Sequence, residues 1–359
     1  MGNAPAVFTD LSLQQVESLV SALGEPAFRA NQLLGWVYQR LAASFDEMTD
    51  VPVGMRQKLV GQLSVHSLVP IREAVSRDGT VKTLFRLGDG NTIEAALMLY
   101  AAGAGRPRTT VCISSQAGCA IGCPFCATGR QGLERSLTPG EMIDQVLHFA
   151  RRVRDRGGVS EKRSEHITNI VFMGMGEPLA NYDALMQAIG VLTSPRGFGT
   201  SPRNITISTA GMVPQMGRLA EEKVRVGLAV SLHAPDNQLR SKLVPLNRRY
   251  PIEELIPACR EYAQKTGRRV SFEYTLFAGV NDSLAQARML ARVLSGMDAH
   301  VNLITANPAC GDEYKPSSRR QVLAFEQELR LAGINCTLRV SRGQDIQAGC
   351  GQLRAQSLG

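Results

Sequence analysis

The stretch TVCISSQAGCAIGCPFC (residues 110–126) decides the fold, because it joins a short apolar run to a cysteine-rich loop. Thr110–Ser114 has the apolar character of a strand in a parallel sheet. A CxxxCxxC run follows, with Cys119, Cys123 and Cys126 on a loop that contains glycine and proline. In folds built on parallel strands, reactive groups gather at the carboxyl ends of the strands. The stretch therefore predicts a site at the end of the first strand of such a sheet.

Downstream of Thr109 the chain alternates short apolar strands with amphipathic helices. The predicted strands are Thr110–Ser114, Asn169–Met173, Asn204–Ser208, Gly227–Leu232, Ser271–Leu276 and Val301–Ile304. The predicted helices are Pro139–Val153, Tyr182–Leu192, Pro214–Glu221, Ile252–Lys265, Ser283–Leu294 and Ser317–Leu331. The first helix has a capping box, since Glu141 stands three residues after Thr138. The repeated βα unit predicts the α/β class with a parallel sheet, open or curled towards a barrel.

The region before this repeat has a different pattern. Leu11–Leu23, Phe28–Leu41 and Pro52–Leu63 carry apolar residues at helical spacing. Thr80–Leu87 and Asn91–Tyr100 flank a Gly-Asp-Gly turn and predict a β-hairpin. We therefore divide the chain into a helical accessory domain (1–70), a hairpin linker (71–104), an α/β core (105–345) and a C-terminal segment (346–359).

Composition excludes several classes of protein. The chain has 359 residues, of which 44% are hydrophobic and 20% charged, and these values argue against a disordered chain or a small disulfide scaffold. No apolar run is long enough to span a bilayer, and the N-terminus lacks the pattern of a secretory signal. These features predict a cytosolic protein without a membrane partner. The net charge of +8 permits an acidic partner such as nucleic acid but does not establish one.

The cysteine loop fits an iron–sulfur cluster better than a zinc ion. Three thiolates at this spacing can bind three irons of a [4Fe–4S] cluster and leave the fourth iron open for a substrate or cofactor. Zinc normally takes four Cys or His ligands in paired short spacings, and no partner pair is evident. Zinc binding and unliganded cysteines both remain open at this stage.

CxxxCxxC after the first strand of a βα repeat resembles the radical S-adenosylmethionine (radical SAM) superfamily. The resemblance implies that the amino and carboxyl groups of SAM bind the open iron, and that reduction cleaves SAM to a 5′-deoxyadenosyl radical. MGMGEP (173–178) and the ends of later strands fit SAM binding, although they also fit a tight turn, a structural histidine and a turn asparagine. The candidate SAM-binding residues are Gly176, Glu177, Ser208, Ser231, Leu232, His233 and Asn307.

Further motifs resemble one family of this superfamily, the RlmN/Cfr RNA methyltransferases. They are FRANQ (28–32), MTD (48–50), CISSQAGC (112–119), SLHAPD (231–236) and RGQDIQAGCGQL (342–353). The match runs from about residue 28 to residue 353. It implies a partial (β/α)6 radical SAM barrel with an N-terminal accessory domain, one [4Fe–4S] cluster with three Cys ligands, and two SAM molecules per turnover.

The resemblance also implies roles for residues outside the cluster loop. Cys350 matches the cysteine that is first methylated by SAM and then carries the methyl group. The deoxyadenosyl radical takes a hydrogen atom from that S-methyl group, and the resulting carbon radical adds to the base. Cys112 matches the thiol that attacks the Cys350 sulfur and forms a transient disulfide as the methylated RNA leaves. Glu94 matches the glutamate that removes the adenine proton.

The implied substrate is an adenine of 23S ribosomal RNA at the peptidyl-transferase centre, methylated at carbon 2. The adenine 3′ of the anticodon in tRNA is a second implied substrate, and flavodoxin or ferredoxin is the implied class of electron donor. We favour carbon 2 over carbon 8, the Cfr-type product, because the N-terminal module resembles the housekeeping branch. Two further hypotheses stay open: a radical SAM enzyme with a non-RNA substrate, and an iron–sulfur electron carrier or RNA-binding protein without catalysis.

Overall fold

The computed structural model describes residues 6–101, 107–155, 166–307, 313–339, 342–349 and 352–353. In chain order the early strands are β1 (Ala6–Val7), β2 (Leu63–Ser64), β3 (Val69–Val75), β4 (Val81–Arg86), β5 (Thr92–Tyr100), β6 (Arg108–Cys112), β7 (Gln116–Gly118) and β8 (Leu133–Ser136). The later strands are β9 (Asn169–Phe172), β10 (Ile205–Thr209), β11 (Gly227–Ser231), β12 (Val270–Leu276), β13 (Ala299–Thr305) and β14 (Asn335–Arg339).

The helices fall into a small N-terminal set and a larger set that alternates with strands. The first set is α1 (Leu13–Ala22), α2 (Phe28–Leu34) and α3 (Val53–Val60). The second set is α4 (Ala127–Gln131), α5 (Pro139–Asp155), α6 (Tyr182–Thr193), α7 (Val213–Glu221), α8 (Asn237–Leu243), α9 (Ile252–Thr266), α10 (Leu284–Leu294) and α11 (Arg319–Leu331). None of the helices in the described ranges combines the length and apolarity needed to cross a membrane.

A ten-stranded sheet in the order β14-β13-β12-β11-β10-β9-β6-β5-β4-β3 organises the molecule. Neighbours from β6 through β14 pair in parallel, so the predicted α/β class with a parallel sheet is confirmed. All six predicted core strands are found within two residues of their predicted ends. β14 is a seventh parallel strand that we did not predict. It lies at the sheet edge and is only partly buried, so its apolar pattern is weak.

The predicted hairpin is present as β4 and β5, but it is joined to the main sheet. β5 pairs antiparallel with β6, and Ala96 stands opposite Cys112. β3 adds a third antiparallel strand at the outer edge. We did not predict β3 from the sequence. None of its residues is fully buried, so the alternation of apolar and polar residues along the strand is weak. The sheet consequently runs without a break from the hairpin into the parallel strands.

The predicted helices are found, with two clear differences of length and two additions. The helix predicted over Pro52–Leu63 ends at Val60, and Leu63 belongs to β2. The segment predicted as one helix over Phe28–Leu41 is α-helical only to Leu34 and continues as a π-helical turn over Gly35–Gln39. In that turn the Arg40 amide donates to the Gly35 carbonyl at 2.9 Å, five residues earlier. The short helices α4 and α8 were not predicted. The capping box of α5 is confirmed, since Glu141 and Thr138 exchange hydrogen bonds.

The segment between β2 and β3 is bound to α5 through a buried carboxylate. Asp144 of α5 is 1% exposed, and its Oδ1 lies 2.8 Å from the Nδ1 of His66. The Asp144 Oδ2 accepts from the backbone amide of Ser67 at 2.6 Å and from its hydroxyl at 2.7 Å. These bonds satisfy a carboxylate that would otherwise be buried at a cost. They fix this segment to α5, and the His66 Nε2, 3.0 Å from the Ala42 carbonyl oxygen, links it to the N-terminal region.

Candidate active site

The cysteine loop is built by a tight strand pair after β6. β7 pairs with β8, and the Cys119 amide donates to the Gly132 carbonyl at 2.7 Å. Gly118 has φ +79°, and a Cβ there would lie 2.0 Å from the Gly132 oxygen, so only glycine fits. Cys119, Cys123 and Cys126 all border one cavity at the carboxyl ends of the parallel strands. The structure therefore brings the three predicted cluster ligands together.

Burial keeps two of the three thiols, those of Cys119 and Cys123, in the uncharged form when nothing is bound. Burial raises the pKa of Cys119 to about 12 and raises the pKa of Cys123 well above its ordinary value. Bare thiolates are therefore disfavoured, whereas bound iron would supply the positive charge that stabilises them. Within the described ranges, no three His, Cys, Asp or Glu side chains are placed to hold a single metal ion. Three thiolates at this spacing are ligands that a [4Fe–4S] cluster takes.

The strand ends complete the wall of this cavity, which we call the cluster cavity. Six of the seven predicted SAM-binding residues border it: Gly176, Glu177, Ser208, Ser231, His233 and Asn307. Leu232 does not, because its side chain is fully buried in the main hydrophobic core. The cavity has a volume of about 160 Å³, which is room for several water molecules or for part of a small organic ligand.

The MGMGEP segment crosses the cysteine strand at very short range. A Cβ at Gly174 would lie 2.7 Å from the Ile113 carbonyl oxygen, so the two backbones touch. Gly176 has φ +100°, and a Cβ there would lie 2.6 Å from the Gln116 side chain. Both positions therefore require glycine for close approach. The contact places the next residue, Glu177, beside the cysteine loop.

Glu177 is a buried carboxyl aimed at the cluster cavity. Its Oε2 accepts from the Ala210 amide at 2.7 Å, and its Oε1 accepts from the Leu179 amide at 3.1 Å. Burial raises the pKa of Glu177 to about 7, although these hydrogen bonds act in the opposite direction. No described Lys or Arg forms a salt bridge with it. A cationic group bound in the cavity, such as the amino group of SAM, would supply the missing charge.

Glu177→Gln is expected to weaken SAM binding by about 10- to 100-fold, because it removes a buried charge-assisted hydrogen bond. Equilibrium dialysis of the reconstituted protein under anaerobic conditions measures this. Glu254→Gln, at an exposed position, is the matched control. Equal SAM affinities of the Glu177→Gln variant and the unaltered protein would contradict the assignment.

The same variant tests the pKa of Glu177 in the protein without ligands. The native carboxyl has a pKa of about 7, against 4.5 for an ordinary glutamate, so between these values the native state binds more protons than the unfolded state. The contribution of Glu177 to stability is therefore present below pH 4.5 and is lost as the pH rises through 7. Between pH 5 and pH 8 the melting temperature of Glu177→Gln is therefore expected to fall less than that of the unaltered protein.

His233 is held as a neutral hydrogen-bond donor. The residue has φ +56°, and its Nδ1 accepts from the Thr275 amide at 3.0 Å, which leaves the ring proton on Nε2. Burial, with a smaller effect from Arg240, lowers the pKa of His233 to about 3. The ring stands edge-on to Phe125, with 4.9 Å between centroids. At neutral pH His233 can therefore bind a ligand in the cavity but does not act as an acid.

A second cavity adjoins the first and contains Cys112. It lies beside the end of β6 and is also bordered by Ala348 and Gly349 of the C-terminal segment. The two cavities share Met173, Ile304 and Leu353 as wall residues. We call this second space the thiol cavity. The predicted disulfide partner of Cys112 thus belongs to a segment whose flanks reach the wall between the two cavities.

Cys350 itself, like Cys310, lies outside the described residues. Gly349 before it and Gln352 and Leu353 after it are placed. The Gly349 amide donates to the Gln352 Oε1 at 2.8 Å, and a Cβ at Gly349 would lie 2.8 Å from the Asn307 Nδ2. The Thr128 hydroxyl donates to the Leu353 carbonyl at 2.5 Å, which ties the segment to the start of α4.

Glu94 lies on β5 and is 4% exposed. Since Ala96 stands opposite Cys112, Glu94 shares its face of the sheet with that thiol. Its Oε1 forms a salt bridge of 3.0 Å with the Lys82 Nζ, which also donates to the Gln347 carbonyl at 3.4 Å. Glu94 borders neither cavity. Its side chain therefore lies near the thiol cavity but does not line it.

The turn between β3 and β4 is hydrogen-bonded to the C-terminal segment, and we call this set of contacts the clasp. The Asp345 carboxylate accepts from the Ser76 hydroxyl at 2.6 Å and from the Arg77 amide at 3.2 Å. The Asp78 Oδ2 accepts from the Gly343 amide at 3.0 Å. Burial acts to raise the pKa of Asp78, but hydrogen bonds outweigh it and hold the pKa at about 2. Both carboxylates are therefore ionised partners in this clasp near neutral pH.

Several residues of the site were not identified from the sequence. Glu273 borders the cluster cavity and accepts from Asn302 at 2.7 Å and from Arg339 at 3.2 Å. Its signal was available, because a carboxylate inside the apolar strand VSFEYTL (270–276) is unusual. Lys82 gave no comparable signal, since a lysine in a predicted hairpin is ordinary.

Comparison with known proteins places these features in a family. The family model described as "Ribosomal RNA large subunit methyltransferase N-terminal domain" matches residues 8–65, and the radical SAM superfamily model matches residues 113–290. A "Probable dual-specificity RNA methyltransferase RlmN" from Moorella thermoacetica is 50% identical, over 96% of each chain. A "Ribosomal RNA large subunit methyltransferase N" from Nitrosopumilus maritimus is 46% identical, over 96% of this chain and 97% of that protein.

A solved structure agrees with the fold over almost the whole chain. The crystal structure of a radical SAM methyltransferase from Sphaerobacter thermophilus superposes with a TM-score of 0.92 and 51% identity. The match covers 98% of this chain and 100% of that one. The agreement includes the N-terminal helices as well as the sheet, and it confirms the radical SAM fold that the motifs implied.

Proposed function

The chain belongs to the RlmN family of radical SAM RNA methyltransferases, and from this membership we propose that it methylates carbon 2 of an adenine in 23S ribosomal RNA. One observation carries the proposal for this chain's residues. The cluster cavity and the thiol cavity meet at the segment that flanks Cys350. Such an arrangement suits a carrier cysteine that serves both spaces.

Membership of the radical SAM superfamily implies a [4Fe–4S] cluster and SAM. We assign the cluster to Cys119, Cys123 and Cys126, and the amino group of SAM to Glu177. When bound, these groups supply a methyl donor and, after one-electron reduction, a 5′-deoxyadenosyl radical. The buried walls of the cavity exclude water from that chemistry. Two SAM molecules are consumed per turnover, one for the methyl group and one for the radical.

A carrier cysteine is needed because carbon 2 of adenine is electrophilic and cannot attack the methyl group of SAM. The Cys350 thiolate can, and it forms a thioether. After loss of one hydrogen atom, the S-methyl carbon bonds to carbon 2 of the base. RNA and protein are then joined through Cys350, and this adduct must be resolved.

Glu94 and Cys112 resolve the adduct. The Glu94 carboxylate accepts the proton from carbon 2. The adduct also gives up one electron, which the oxidised iron–sulfur cluster would take up, and aromaticity is thereby restored. Lys82 positions that carboxylate, because its ammonium contacts both Glu94 and the Gln347 carbonyl of the C-terminal segment. The Cys112 thiolate then attacks the Cys350 sulfur, the S–C bond breaks, and the released carbon takes a proton. A thiol reductant restores both cysteines.

The RNA partners follow from the family and from charge. The relative from M. thermoacetica is described as dual-specificity, and we propose that this chain likewise acts on 23S rRNA and on the adenine 3′ of the anticodon in tRNA. The net charge of +8 suits a polyanionic substrate. Flavodoxin or ferredoxin is the proposed class of electron donor, and the cytoplasm is the proposed compartment because these RNAs are found there.

Product analysis tests the proposed function. The protein is reconstituted anaerobically with iron and sulfide and incubated with SAM, a reductant and 23S rRNA, and RNA nucleosides are then identified by mass spectrometry. We expect 2-methyladenosine, and none when the reductant is omitted. Formation of 8-methyladenosine would assign the chain the Cfr-type product, and unmodified RNA would overturn the proposal.

The clasp leads to a separate prediction about the C-terminal segment, which contains Cys350. Asp345→Asn is expected to slow RNA methylation by a few-fold, because it weakens the charge-assisted bonds to Ser76 and Arg77 that hold the segment containing Cys350. SAM affinity is expected to stay unchanged, since Asp345 borders neither cavity. Asp298→Asn, at an exposed position, is the control. An unchanged methylation rate for Asp345→Asn would show that the clasp does not position the segment.

A further inference from the structure

Arg240 of α8 is a fully buried cation without a carboxylate partner among the described residues. It is 0% exposed. Its Nη1 donates to the Asn247 Oδ1 at 2.9 Å, and its Nη2 donates to the carbonyls of Ala210 at 2.6 Å and Ser231 at 3.2 Å. Its Nε is buried, with no hydrogen-bond partner in the part of the chain that the structure describes. A buried charge is costly unless a charge of opposite sign lies nearby.

The surroundings of Arg240 indicate where that opposite charge belongs. Ala210 and Ser231, whose carbonyls bind the guanidinium, both border the cluster cavity. Leu239 and Leu243 of the same helix belong to the small apolar cluster that also contains Cys123 and Cys126. Arg240 therefore stands in the wall directly behind the cavity, on the side of the cysteine loop.

The electrostatics agree with this placement. Burial lowers the pKa of Arg240 to about 10, so the guanidinium is still a cation near neutral pH. This charge lies in the protein interior, where it is weakly screened, so it acts on groups bound in the adjoining cavity.

We propose that Arg240 is the fixed counter-ion of the iron–sulfur cluster and raises its reduction potential. The inference rests on the proposed ligation of the cluster by Cys119, Cys123 and Cys126. A cluster with thiolate ligands gains one negative charge when it accepts an electron from the external donor. A nearby positive charge stabilises the reduced form, since net charge is one of the factors that set cluster potentials. A negatively charged cluster then explains both the Nε without a hydrogen-bond partner and the lack of a carboxylate partner among the placed residues.

A purely structural role makes a different prediction. The guanidinium bridges the ends of β10 and β11 through two carbonyls, and a scaffold of that kind depends on the shape of the side chain. Arg240→Lys keeps the charge and loses the fork, whereas Arg240→Gln loses the charge. The two variants therefore separate charge from shape.

The test is a redox titration of the reconstituted protein, monitored by the electron paramagnetic resonance signal of the reduced cluster, without SAM or RNA. We expect the midpoint potential of Arg240→Gln to be more negative than that of the unaltered protein, and that of Arg240→Lys to lie closer to it. Lys242→Gln removes one positive charge from an exposed position of the same helix and is expected to leave the potential unchanged.

Each outcome bears on the proposal. An unchanged potential in Arg240→Gln would overturn it, and so would an equal shift in Arg240→Lys and Arg240→Gln. If Arg240→Gln loads no cluster while Arg240→Lys loads normally, the need for charge is supported. Loss of loading in both variants would overturn the proposal in favour of the structural role. Failure of the unaltered protein to load a cluster would instead contradict the proposed ligand set.

Discussion

Replacing Cys350 with Ala is expected to lower RNA methylation at least about a thousandfold, because no described thiol is available to replace it. The three thiols that border the cluster cavity are the proposed cluster ligands, and Cys112 is the proposed resolving thiol. Cys112 borders only the thiol cavity, so it does not replace the carrier. Cluster loading and SAM binding are expected to remain, since both depend on the cysteine loop and the strand ends.

Nucleoside mass spectrometry of 23S rRNA after anaerobic turnover measures the loss. Cys336→Ala is the matched control, because Cys336 is buried at the edge strand β14, where its thiol donates to the Glu326 carbonyl at 3.6 Å. We expect Cys336→Ala to keep most of its activity. If Cys350→Ala methylated RNA at a rate near that of Cys336→Ala, the carrier mechanism would be wrong.

Replacing Cys112 with Ala has a different expected outcome, the accumulation of RNA joined covalently to the protein. The carrier can still be methylated and can still add to the base, but no thiol then attacks its sulfur. Cys112 suits that role because it is 9% exposed and borders the same cavity as Gly349, the neighbour of Cys350. The trapped species is a thioether, which resists thiol reductants, whereas a disulfide does not.

Denaturing gels with labelled RNA detect this adduct, and peptide mass spectrometry locates it. We expect about one adduct per protein chain, on the peptide that contains Cys350, and we expect it to survive dithiothreitol. The double variant Cys112→Ala/Cys350→Ala is the control and is expected to form none. Release of methylated RNA by Cys112→Ala at the unaltered rate would exclude Cys112 as the resolving thiol.

Much of the fold could be predicted because its strands have clear local patterns. The parallel strands β9 to β13 lie in the interior of the sheet, so each is a short apolar run with clear limits. The edge strands β3 and β14 have one exposed face and little alternation, and both escaped prediction. Whether the hairpin joined the main sheet depends on long-range pairing between β5 and β6, which no local pattern encodes.

The site was predictable in its motifs and unpredictable in the contacts that support them. Cysteine spacing and the MGMGEP segment identified residues that face one cavity. Leu232 was included because it lies in a motif, yet its side chain packs in the core. Arg240 contacts Ala210 and Lys82 contacts Gln347, and only the folded structure brings these distant partners together.

The most direct test of the account follows the methyl hydrogens. SAM with a fully deuterated methyl group is supplied to the reconstituted protein with 23S rRNA, and both the peptide containing Cys350 and the methylated adenosine are analysed by mass spectrometry. The account predicts three deuterium atoms on the methyl group of Cys350 and two on the carbon-2 methyl group of adenine. The 5′-deoxyadenosyl radical takes up the third deuterium atom, and a proton replaces it in the product. Three deuterium atoms in the RNA product, or an unlabelled Cys350, would contradict it.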